Sequence, residues 1–148
     1  DSALWKAKEA GAKIYTQGEY KIMVFVPMLT KLTDNSTKAI NVAKGIERVL
    51  REYGRRGIKL DFGIGVNSGE LVVESKEGKF KFMSVDNTIS TTKNVASQSS
   101  GEALLSKNIH RKTIGKIKTS KLAEADLWKV EKVMDRSEHS DYVRRFSK

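Results

Sequence analysis

The chain contains no cysteine, which excludes disulfides, thiolate metal sites and cysteine nucleophiles. Histidine is nearly as scarce. His110 and His139 stand far apart with no acidic partner beside either, so nothing suggests a triad and both read as surface residues. No apolar run approaches the roughly 20 residues that a membrane span requires, and no secretory leader is visible; a cytoplasmic chain is expected. Acidic residues are outnumbered, 18 Asp and Glu against 28 Lys and Arg, for a net charge of +10. That balance favours nucleotides, nucleic acid or an acidic protein surface as partners, or else it is solvated surplus lysine. The deficit is sharpest over residues 103–123, which hold Lys107, Arg111, Lys112, Lys116, Lys118, Lys121 and His110 but no Asp or Glu. Aromatics are missing there too, and with them the stacking platforms of a single-strand nucleic-acid binder.

What is present is enough for one domain with a real core. The 148 residues are 39% hydrophobic and 31% charged, as in a globular domain with a charge-rich surface. The reading places that domain at 1–133 and a polar, basic tail at 134–148. "SALWKAKEAGAK" predicts the end of an amphipathic helix stopped by Gly11. "AKIYTQGEYKIMVFVP" predicts a hairpin turning at Gln17-Gly18. Ile22 to Val26 are consecutive apolar residues, the composition of a strand buried on both faces, and the only proline, Pro27, closes it.

The strongest helical pattern is "TDNSTKAINVAKGIERVLREYGRRG". Asp34, Asn35 and Ser36 offer N-caps, Ala39, Ala43, Ile46, Leu50 and Tyr53 share a stripe, and Gly54 or Gly57 ends it. "IKLDFGIGV" alternates as a strand with one apolar face. Gly63 and Gly65 thin its other face, so a helix, ligand or backbone can come close. "ELVVE", "KFKFMSV", "EALLS" and "ADLWKVEKV" predict further strands. "DNTISTTKNVASQ" and "SKNIHRKT" predict short helices capped by Asp86 and Ser106. The glycines of "GIGVNSG" superficially suggest a phosphate loop, but a β-type run follows them where a dinucleotide fingerprint would open a helix. Helices interleaved with a mixed sheet predict an α+β or α/β layered fold.

Taken in order, these pieces resemble the class III adenylate and guanylate cyclase homology domain. "AGAKIYTQGEYKIMVFV" is similar to that family's helix-end glycine, hairpin and "GD…F" strand. "IKLDFGIGVNSGELVV" resembles its "GI…SGE…V" hairpin, "SVDNTISTTKNVASQ" its "GDTVNTASRM", and "SGEALLSKNIHRKT" its "PGEILVSEETYRRL". The resemblance covers roughly residues 10–133. It implies an α+β, ferredoxin-like core with a mixed or antiparallel sheet, and pairing with a second copy or another cyclase-like domain. It also implies nucleotide sites where two aspartate-held Mg²⁺ or Mn²⁺ ions activate a 3′-hydroxyl.

Position by position, the resemblance implies a chemistry that this chain alters. The family's opening strand, with its first metal aspartate, and the helix after it have no counterpart after Asp1; the chain is a fragment, or another segment or subunit fills the place. The second metal aspartate corresponds to Glu19, a displaced ligand or a solvated turn residue. The transition-state Asn and Arg correspond to Ile89, which donates no hydrogen bond, and Lys93, which keeps charge without the bidentate fork. The base-reading pair falls near Tyr15 and Phe82, which either stack on a flat ligand or pack as core, with Asp86 an alternative polar partner. The expectation is a degenerate cyclase-homology domain acting as a regulatory, dimerisation or ligand-sensing module. The alternatives are a divergent active nucleotidyl cyclase that needs upstream residues and a basic anion-binding or nucleic-acid-binding module.

Overall fold

The computed structural model describes residues 2–57, 61–69, 71–76, 79–84, 87–122 and 125–134. The predicted long helix is α3, Asn35–Arg55. Asp34 caps it, its carboxylate accepting the Thr37 amide at 3.0 Å, which satisfies one of the orphan donors of the first turn. Burial works against the charge on Asp34, yet hydrogen bonds from Lys116 and Thr37 hold its carboxyl below the usual range. Gly54 stays inside the helix, and the stop comes at Gly57, with φ 87°. Ahead of α3, the chain forms α1 (Ser2–Ala10), β1 (Lys13–Gln17), β2 (Tyr20–Val24) and the single turn α2 (Pro27–Thr30). The hairpin turns at Gly18-Glu19, one residue later than expected, because Gln17 pairs with Tyr20 across it.

After α3 come β3 (Ile64–Val66), β4 (Leu71–Lys76), β5 (Lys79–Ser84), α4 (Thr88–Ser97), β6 (Ala103–Ser106), α5 (Lys107–Lys112), β7 (Ile117–Lys121) and β8 (Leu127–Val133). The architecture is α+β with a mixed sheet, as expected. β3 runs parallel to β6, while β6, β8 and β7 pair antiparallel in the order β3-β6-β8-β7. β1 pairs with β2, and β4 with β5, each as a separate two-stranded ribbon.

Four sequence expectations change. "GIGVNSGELVV" is not a hairpin: Ile64–Val66 joins β6, whereas Leu71–Lys76 turns to β5. Its first strand covers three of the described residues and not the whole alternating run. The cap of α4 is Asn87, without a side-chain hydrogen bond, and Asp86 lies outside the described residues. β7 was hidden in the basic 103–123 segment, where lysines on an exposed edge strand mask the β pattern. Such lysines are a usual guard against edge-to-edge pairing.

The core has three parts, and α3 belongs to two of them. Ile40 and Ala43 pack with Val66, Ala103, Leu105 and Val130 of the four-stranded sheet. Val42 and Ile46 pack with Ala7 of α1 and with residues of the β1–β2 hairpin. On the opposite face of β6, Leu104 meets Val95 of α4 and Leu127. Within this interior, Glu47 is almost fully buried; it pairs with Lys44 and accepts the Ala103 amide at 3.0 Å. Lys44 also donates to the Val130 carbonyl at 3.1 Å, tying α3 to β6 and β8.

Candidate functional site

The two missing side chains of β3 decide where α4 sits. A Cβ on Gly65 would meet the Ala96 amide and lie 2.8 Å from the Thr92 carbonyl; one on Gly63 would meet the Ala96 carbonyl. The helix therefore presses backbone to backbone against the strand, the close approach that the glycines predicted. α3 covers the other face of β3. Between β2 and β3, with α3 on one side and α4 on the other, lies an open cleft of about 1240 Å³. Its mouth passes Asn67, whose amide donates to the Thr88 carbonyl at 3.1 Å and whose oxygen accepts from Ser106. Ser68 lines it as well, with a buried hydroxyl that has no partner among the described residues.

The cleft gathers Glu19 with Ile89 and Lys93, which lie 70 or more positions further along the sequence. Glu19 is exposed on the hairpin turn. Ile89 and Lys93 lie one helical turn apart on α4, hence on the same face. The Lys93 ammonium sits 5.5 Å from the Tyr20 ring centroid, within cation–π range, so the charge is partly engaged across the rim. Tyr20 is the residue that sequence reasoning missed; only its place beside the turn glycine could have flagged it. Asp61, Thr88 and Thr92 also line the cleft.

Tyr15 does not line it. It sits in β1 opposite Ile22, with a buried hydroxyl unpartnered among the described residues, and that burial raises its pKa. Phe82 lies in β5 opposite Val73, but its side chain is outside the described residues, as is Asp86. The two divalent ions that the resemblance implies would take oxygen ligands, and the carboxylates lining the cleft are Glu19 and Asp61. Among the described residues no group of three or more His, Cys, Asp or Glu side chains is placed to hold a metal.

The basic segment takes another course. Lys116 pairs with Asp34 at 2.7 Å, and Lys121 lies 5.7 Å from the Trp128 ring. His110 is not a plain surface residue: it stacks on Trp128 at 4.1 Å and 7°, because α5 packs against β8. Burial lowers its pKa from 6.5. The unfolded chain then binds the proton more readily than the folded one. This group's contribution to stability is full above about pH 6.5 and falls as the pH drops below it. Urea midpoints measured from pH 7.5 to 5 should show a component of that fall that disappears in His110→Phe.

No protein-family model matches the sequence, and neither does any curated protein. Solved structures do match. A non-canonical dimeric guanylyl cyclase domain of the RhoGC fusion protein from the aquatic fungus Blastocladiella emersonii superposes with a TM-score of 0.73 at 20% identity, over 90% of this chain and 79% of that one. The guanylate cyclase domain of RhGC from Catenaria anguillulae, solved in complex with GTP, gives 0.68 at 21%, over 90% and 79%. The adenylyl cyclase CyaB from P. aeruginosa gives 0.59 at 15%, over 91% and 79%. The chain has the class III nucleotidyl cyclase fold. Within this cyclase fold, α4 carries Ile89 and Lys93, and the cleft it borders is lined by Glu19 as well. Among the described residues no helix of the cyclase fold is long and apolar enough to cross a membrane.

Proposed function

We propose that this chain is a non-catalytic cyclase-homology domain, a regulatory or dimerisation module of a signalling protein. One observation carries the reading. Glu19, Ile89 and Lys93, which the resemblance puts at the second metal and the transition-state positions, line one cleft. Ile89 offers no hydrogen bond to a ribose. Lys93 offers one point charge, already drawn toward Tyr20, in place of a planar fork. Transition-state stabilisation depends on preorganised donors, and here an apolar side chain stands in the donor's place. A domain of the same fold is known both as a non-canonical dimer and as a monomer, so pairing is within reach of the fold, and the surplus of scaffold over chemistry favours it here.

Incubation of the chain with ATP or GTP and Mn²⁺ should yield no cyclic nucleotide above the protein-free background by mass spectrometry. Sustained formation of cyclic AMP or cyclic GMP, abolished by Lys93→Ala, would overturn the proposal in favour of a divergent cyclase. A pairing role predicts a dimer, with itself or with another cyclase-like domain, detectable by sedimentation at micromolar concentration.

A further inference from the structure

The acid-free stretch between residues 103 and 123 takes a definite shape in the fold. Lys107, His110 and Arg111 stand at i, i+3 and i+4 of α5 and so share one stripe of that helix. His110 carries the stripe to β8, where its ring stacks on Trp128 at 4.1 Å and 7°. Trp128 is in register with Lys121 of β7, whose ammonium sits 5.7 Å from the Trp128 ring. A helix and an edge strand thus set Lys107, Arg111 and Lys121 around one aromatic stack. All three cations are exposed, and the two rings are half-buried.

Among the described residues no acid pairs with these three. Lys116 of the same stretch pairs with Asp34, and the other ion pairs lie along α3 and its C-cap. Clustered like charge works against the compact state, and an opposite charge brought to the surface removes that repulsion. The stack also gives the patch an anchor. Binding energy at interfaces concentrates on Trp and Arg, whereas lysine alone is depleted there. A merely solvated lysine face has no such ring at its centre.

We propose that this surface of α5, β7 and β8 docks an acidic segment of another protein, its carboxylates pairing with Lys107, Arg111 and Lys121 around the His110–Trp128 stack. Arg111 offers a carboxylate the bidentate fork, and the two lysines add point charges. Nucleic acid fits the surface less well. A base needs an open aromatic face, and here His110 covers one face of Trp128 while Lys121 stands over the ring. A second copy brings the same patch and the same net charge of +10. Residues 135–148 hold three acids against four Lys and Arg, so they match no better. None of the patch residues lines the cleft. The docking therefore stands whether or not the cleft is catalytic.

The test is fluorescence anisotropy of a fluorescein-labelled Gly-Glu-Asp-Glu-Glu-Asp-Glu-Gly peptide with the 148-residue chain, at about 50 mM salt to limit screening. The chain should bind it, and should not bind the same peptide with Gln and Asn for its acids. Lys107→Glu/Arg111→Glu/Lys121→Glu should weaken binding at least about tenfold, since like charges then face each other. Replacing the same three residues with Gln should weaken it less, and keeps the test open if charge reversal disturbs folding. Lys8→Glu/Lys13→Glu/Lys31→Glu makes the same change in net charge at exposed positions elsewhere and should weaken binding less than about threefold. In ¹H–¹⁵N spectra the peptide should shift the Trp128 indole signal and leave that of Trp5 in place. Three results would overturn the proposal. One is no binding of the acidic peptide, or binding that leaves the Trp128 signal unmoved. Another is an equal loss from the two charge-reversed sets, which means attraction to net charge alone. The third is an oligo(dT) strand that binds the patch more tightly than the peptide at the same salt, which assigns the surface to nucleic acid. Cyclic-nucleotide formation plays no part in these readouts, so their outcome is separate from that of the proposed function.

Discussion

Glu47→Ala is expected to lower folding stability by about 3–5 kcal/mol, the range for breaking a buried ion pair by removing one partner. Glu47 is 3% exposed, and its carboxylate has three partners: the Lys44 ammonium, the Ala103 amide and, at 3.7 Å, the Arg51 guanidinium. The Arg51 side chain is more than half exposed, so that contact is worth little. The loss falls on the other two. Truncation leaves a largely buried ammonium with only the Val130 carbonyl and removes the acceptor of a buried amide. Urea denaturation with an unchanged m-value measures it. The double variant Lys44→Met/Glu47→Leu should recover most of the loss, because apolar replacement removes the stranded charge as well as the bond. A Glu47→Ala midpoint matching the parent would mean the pair does not sit in the interior as described.

Gly65→Ala should cost about 3 kcal/mol, the upper end of the usual overpacking range. The added methyl would meet the Ala96 amide, with the Thr92 carbonyl at 2.8 Å and the Ala96 Cα at 2.9 Å. All three are backbone atoms of α4, so no side chain can swing aside and the helix itself must move. Gly54→Ala is the matched comparison. Nothing lies within 4 Å of a Cβ there, and alanine in a helix interior is favoured by roughly 1 kcal/mol over glycine. Equal midpoints for the two variants would show that α4 does not contact β3 through its backbone. Because α4 carries Ile89 and Lys93, Gly65→Ala should also disturb the Lys93–Tyr20 contact at the rim.

Much of the fold was legible where local signals and tertiary packing agree. Asp34 before a long apolar stripe gave α3, Ser106 gave the start of α5, and Gly63 and Gly65 announced a close approach, which α4 makes. The failures share a cause. β7 carries its lysines outward on an exposed edge, so no alternation marks it, and the parallel partner of Ile64–Val66 lies nearly 40 residues away at Ala103–Leu105. Short-range reading joins that strand to its neighbour in sequence, because loop length alone favours a hairpin. The cleft was legible only in part. Glu19, Ile89 and Lys93 were marked by motif position, whereas Tyr20 entered through a contact between a hairpin and a helix more than 60 residues on. His110 looked solitary in sequence, since its partner Trp128 arrives on a different strand.

The placement of α3 carries one more consequence. One side of this helix closes the core of the four-stranded sheet through Ile40 and Ala43, and the neighbouring side closes that of the hairpin through Val42 and Ile46. The two ribbons of strand that the cleft holds apart are therefore mechanically in series through a single beam. Neither can melt without uncovering the helix on which the other rests, so a molecule divided in its sheet remains undivided in its unfolding. Its two tryptophans, Trp5 on α1 and Trp128 on β8, therefore report on one cooperative unit.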